Sequence, residues 1–159
     1  MSQHAFIHRS AGHWPDDRSA PAVTLDFEAR HRRRIRLTLD DGEVILLDLP
    51  KAVAMSDGDG LQLEDGRWVR VQASQERLVE IRHADLAQLV RVAWHLGNRH
   101  LPTDICGPVL RIRPDHVIED MLRGMGVELR SVDAPFQPEG GAYAGHSHLH
   151  GEREGHHHG

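Results

Sequence analysis

"RLVEIRHADLAQLVRVAWHLGNRHLPTDICGPVLRIRPDHVIEDMLRGMGVELRSVD", residues 77–133, is the stretch on which the fold turns. It opens with RLVEIRH (77–83), a run of strand formers. ADLAQLVRVAWHLG (84–97) then spaces Leu86, Leu89, Val90 and Ala93 as an apolar stripe at helical intervals and stops at Gly97, a residue that ends helices readily. A short strand around LPTDICG (101–107) and another at VLRIR (109–113) follow. Pro114 opens a second helix that closes near Gly124 or Gly126, and VELRSVD (127–133) is the last strand. The order βαββαβ is the split-βαβ, ferredoxin-like arrangement.

Upstream the periodicity is different. AVTLDFEA (22–29), IRLTLDDGEVILLDL (35–49) and LQLEDGRWVRVQ (61–72) alternate apolar and polar residues, and the last two carry Asp-Gly at their centres, a strong hairpin signal. Asp40, Asp41 and Asp65 are therefore turn residues before they are candidates for acid and base chemistry. The run HRRR (31–34) reads as a solvated strand approach, since no interleaved aromatics or helix-turn-helix accompany it. The pattern changes near Ser74. The chain is expected to be α+β, with a β-rich N-terminal domain (1–74), a ferredoxin-like domain (75–135) and a disordered His-rich tail (136–159).

Composition excludes several classes. A net charge of −5 and a pI near 6.2 make the molecule as a whole a poor match for nucleic acid or anionic lipid. Cys106 is the one cysteine, so no internal disulfide forms, and the loop-like ICGP around it favours a small buried hydrophobe over a ligand. The N-terminus lacks the apolar core of a signal peptide and no stretch approaches a membrane span, so a cytoplasmic location is expected. No Gly-rich phosphate loop, H-E-x-x-H helix, G-x-S-x-G elbow or C-x-x-C pair occurs. An enzyme is not expected.

Histidine is the residue in excess. Of the chain's 14 histidines, those at 146, 148, 150, 156, 157 and 158 fall in AYAGHSHLHGEREGHHHG (142–159), a segment too polar to bury a core. An expression tag would be contiguous, whereas HSHLH is broken; the composition points to metal capture. His146, His148, His150, His156, His157 and His158 are thus candidate ligands, although nitrogen donors alone do not separate nickel from copper or zinc. His83 and His95 read as structural or exposed. His100 follows Gly97-Asn98 on a short connection fixed by Pro102, a rigid place from which to present an imidazole, and a two-fold dimer would make two such ligands of one position; a purely structural role is the equal alternative from the residues alone.

WHLGNRHLP (94–102), then RPDHVIEDMLRGMG (113–126) and a His-rich C-terminus, resemble the UreE urease accessory protein family of nickel metallochaperones. The resemblance implies a β-rich domain suspected of peptide or partner binding and a ferredoxin-like domain that binds metal and forms the homodimer. It implies that His100 binds nickel at the dimer interface, with Zn2+ or Cu2+ able to substitute in vitro. His116 matches an additional metal position of some relatives, but Pro114 stands where those relatives carry a second histidine. The implied partners are the urease apoprotein and its other accessory proteins, including the accessory GTPase. A general His-rich metal buffer is the alternative, and a metal-sensing DNA binder using HRRR is a third reading.

Overall fold

The computed structural model describes residues 2–140, which form a mixed α+β chain that divides into two compact units, Met1–Gln75 and Glu76–Gly159. In the first unit, β1 (Gln3–Arg9), β2 (Ala22–Leu25), β3 (Arg34–Thr38), β4 (Val44–Asp48), β5 (Gly60–Leu63) and β6 (Trp68–Ala73) make one sheet in the order β2-β6-β5-β1-β4-β3. Its core holds Ala5, Val23, Leu37, Ile45, Leu47, Leu61 and Val69, the inward residues of that alternation.

The two expected hairpins are present. β3 pairs antiparallel with β4 and β5 with β6. Each turn needs a residue at positive φ, and Gly42 (96°) and Gly66 (91°) supply it at no steric cost. Asp41 and Asp65 accept hydrogen bonds from the amides of Glu43 (2.9 Å) and Arg67 (3.0 Å), so these acids are occupied by turn chemistry. Two features differ from expectation. The strand read across 22–29 ends at Leu25, because Asp26 accepts from the amide of Ala29 at 2.9 Å and folds the chain into a short 3-10 turn, Ala29–His31. β1 has no counterpart among the expected strands; a bulge between Ala5 and Ile7 breaks the alternation by which QHAFIHR could be recognised. In the arginine run, Arg33 donates to the carbonyl of Leu49 at 3.0 Å and Arg34 pairs with Asp48 at 3.2 Å.

The second unit comprises β7 (Gln75–Arg82), α1 (Leu86–Asn98), β8 (Asp104–Cys106), β9 (Val109–Ile112), α2 (His116–Gly124) and β10 (Glu128–Pro135), with sheet order β10-β7-β9-β8. This is the ferredoxin-like arrangement. Both helices pack on one face: Leu89, Val92 and Leu96 of α1 and Ile118 and Leu122 of α2 meet Val79, Ile81, Leu110 and Ile112. Beyond β10, Phe136 is fully buried and the Glu139 amide donates to the carbonyl of Thr103 at 2.8 Å, so the packed chain runs past residue 135.

On the opposite face lies an ionic cluster. Glu80, only 2% exposed, accepts from Arg82 at 2.9 Å, from Arg111 at 3.1 Å and from Arg130 at 3.1 Å. Burial alone would raise its carboxyl, but the three guanidiniums more than offset this and hold it below the usual carboxylate range. One side chain thereby ties β7, β9 and β10 together.

Candidate metal centre

Asp85 caps α1, accepting from the amide of Ala87 at 3.0 Å, and His83 accepts from the amide of Asp85 at 2.8 Å, which makes His83 part of the turn. Contrary to the stripe expected from the sequence, Leu86 and Val90 are 64% and 61% exposed. The face against the sheet is Leu89, Val92, Ala93 and Leu96, and a second apolar stripe, Leu86, Val90 and Trp94, stands outward at four-residue intervals. Val90, Arg91, Trp94 and His95 line a shallow depression there, and the His95 ring meets Trp94 edge-on at 5.1 Å.

The helix does not stop at Gly97, which lies inside it. Arg99 is the C-cap, the His100 amide donates to the carbonyl of Gly97 at 3.0 Å, and the Leu101 amide donates to that of Leu96 at 3.1 Å. This double closure requires a left-handed residue just after the cap, normally glycine. The residue is His100, with φ of 59°. The second helix is a control within the same molecule: its cap Met125 has nearly the same backbone (φ −92°, ψ 4°) as Arg99 (φ −90°, ψ 3°), and the left-handed position after it is Gly126 at φ 80°. A side chain in that conformation costs roughly 1 kcal/mol. His100 is exposed and held at the end of a rigid helix. Replacing it by glycine is expected to stabilise the metal-free protein by about 0.5–1 kcal/mol in a urea titration while removing the imidazole.

His116 is the exposed first residue of α2. Asp115 is the cap, accepting from the amides of Val117 (3.0 Å) and Ile118 (3.2 Å), and the Asp115 amide donates to Glu119 at 2.9 Å. Pro114 therefore lies one residue ahead of the cap instead of opening the helix. Cys106 ends β8 in place of the expected loop and is half-buried; burial and then the charge of Asp104 push its thiol above the ordinary value, which favours the thiol over a ligating thiolate. Among the described residues no three His, Cys, Asp or Glu side chains converge to hold a metal ion. His146, His148, His150, His156, His157 and His158 lie outside the described residues.

Fold and site together define a two-unit α+β protein whose ferredoxin-like half presents one exposed histidine from a strained helix end. Residues 4–74 match the N-terminal domain, and residues 76–159 the C-terminal domain, of the UreE urease accessory protein. The chain belongs to the UreE urease accessory protein family, named for service to an enzyme and not for an enzyme activity of its own. It is 56% identical over 84% of its length to the urease accessory protein UreE of Bradyrhizobium sp. (strain ORS 278), and 57% identical over 79% to that of Rhodopseudomonas palustris (strain BisB18). It spans 63% and 60% of those two relatives. The UreE of Chelativorans sp. (strain BNC1) is 50% identical across 89% of this chain and 90% of its own length.

Proposed function

We propose that the protein is a cytoplasmic nickel carrier that captures Ni2+ and hands it on for assembly of the urease active site. The observation that carries this reading is His100 in a left-handed position for which α2 uses glycine: a residue that costs stability stands there, with its imidazole exposed at the helix end. One chain does not complete a site from its described residues, so further ligands must come from elsewhere. A second copy supplies them. The outward stripe Leu86, Val90 and Trp94 lies on the helix that ends at His100, and burying it across a two-fold axis gives a homodimer with two imidazoles from one position. The tail histidines collect the ion and complete its coordination as displaceable ligands, and His116 is auxiliary. Hand-over takes place by ligand exchange within a complex of urease apoprotein and its other accessory proteins, the accessory GTPase among them. The first unit serves as the partner-docking module. Neither nucleic acid nor membrane takes part.

Nickel titration of the full chain beside a chain lacking residues 144–159 tests the reading. The shortened protein should bind fewer ions, retain one site per dimer and stay dimeric by sedimentation. If it binds no nickel, the protein is a tail-based buffer. Nickel should also leave as pH falls from about 7.5 to about 5.5, because protons compete for imidazole nitrogens whose reference pKa is roughly 6.5. Full occupancy at about pH 5, read by dialysis and metal analysis, would assign the site to carboxylates instead.

A further inference from the structure

The parallel ladder between β1 and β4 covers only Gln3–Ala5 against Ile45–Leu47. β4 ends at Asp48 and the chain departs at Leu49-Pro50, where proline has no amide to continue a ladder. β1 continues to Arg9 with β5 alone beside it, from Ile7 against Gln62 to Arg9 against Gly60. A wedge opens between the two segments. It is a groove of about 270 Å3, with Phe6, Ile7 and Arg9 on one wall and Leu49, Pro50 and Lys51 on the other. Phe6 and Ile7 are 45% and 36% exposed, so two large apolar side chains stand beside a stretch of strand edge inside the sheet. His8 lines the groove as well and is braced by Asp59: the two meet at 2.7 Å, and Asp59 also accepts from the amides of Ala11 and Ser56, each at 2.9 Å.

We propose that this wedge takes an extended segment of a partner protein, which adds as a strand along Phe6–Arg9, seats an apolar side chain between Ile7 and Pro50, and brings a carboxylate to Arg9 and Lys51. Each part follows from the groove. A strand edge with one neighbour is satisfied by main-chain amides and carbonyls, which an extended peptide offers and a helix does not. A wedge of this volume admits single side chains and not the surface of a folded domain. Both charged residues on its walls are cations, so the complementary segment is acidic as well as apolar. Bracing by Asp59 keeps the groove open without the ligand, which lowers the ordering cost of binding. The inference deepens, and rests on, the partner-docking role given above to the first unit; it does not involve His100.

The test is fluorescence anisotropy of the full chain with three labelled hexapeptides: Val-Glu-Val-Glu-Val-Glu, its Val-Lys counterpart, and Val-Glu-Pro-Glu-Val-Glu, which lacks a central main-chain donor. The Val-Glu peptide should bind saturably, and the Val-Lys and proline peptides about tenfold more weakly or worse. Ile7→Glu and Lys51→Glu should each weaken the Val-Glu peptide by about tenfold, and Arg9→Glu with Lys51→Glu should recover the Val-Lys peptide. These positions are exposed, and an unchanged thermal midpoint confirms folding of each variant. Failure of the Val-Glu peptide to bind up to about 1 mM overturns the proposal. So does self-association of the parent that Ile7→Glu abolishes, since the groove would then join copies of this chain. Binding that ignores Ile7 and Lys51 removes the groove but leaves the docking role of the unit standing.

Discussion

His100→Ala in a chain lacking residues 144–159 is expected to abolish nickel binding, not merely to weaken it. In the proposed dimer a two-fold axis would make one substitution the loss of both imidazoles, and the described residues offer no cluster to replace them. Fold and dimer should survive. The helix closure depends on the backbone of residues 96–101, and the stripe Leu86, Val90 and Trp94 is untouched. Alanine in the left-handed position carries a strain similar to that of histidine, so stability should move by less than about 1 kcal/mol. In the full-length background the tail should still bind ions, while activation of apo-urease falls. His95→Ala is the neighbouring control; its exposed ring packs on Trp94, and its loss should change nickel affinity little. Isothermal titration of the two shortened proteins decides the matter, with sedimentation as the check on assembly. Equal nickel binding by both would falsify the paired-histidine site and return the chain to the status of a His-rich buffer.

Glu80→Gln is expected to be the most damaging conservative substitution in the second unit. The carboxylate is almost fully enclosed and receives three guanidiniums, of which Arg111 is itself only 26% exposed. Removing the anion leaves that partly buried cation without its counter-charge, at a cost of roughly 1–3 kcal/mol; Arg82 and Arg130, at 46% and 63% exposed, can turn toward water and add less. The pH dependence has a definite sign. The Glu80 carboxyl is held below the ordinary carboxylate range, so its contribution is fully present above the unfolded-state value and is lost as pH falls through the folded-state value. Urea midpoints of parent and variant should therefore lie far apart at about pH 7.5 and converge in acid, where the parent too becomes protonated. An equal gap at both pH values would mean that the substitution acts through packing and not through charge.

Much of both units was legible because the signals are local. Helical and strand periodicity and the Asp-Gly turns each act over a few residues, and the observed βαββαβ order of the second unit and both hairpins of the first follow from them. The position of His100 outside its helix was legible for the same reason. Its conformation was not. WHLGNRHLP offers Gly97 as the obvious stop, yet packing of Leu96 and Leu101 into the same core carries the helix one residue beyond it and moves the left-handed position onto His100. The outward stripe was also present in the sequence, at 86, 90 and 94, but spacing alone does not say which of two apolar stripes faces the sheet.

The sequence by itself determined the fold class and the hairpin turns, because turn geometry and periodicity are written into adjacent residues. The tertiary structure decided what depends on partners distant in the chain. β1 exists as a strand because β4 and β5, some forty to sixty positions later, supply its hydrogen bonds. Glu80 is bound by Arg111 and Arg130 because the sheet order brings β9 and β10 to either side of β7. His100 is strained because two apolar residues flanking it are drawn into one core, and the free energy of that burial outweighs the cost of one left-handed side chain.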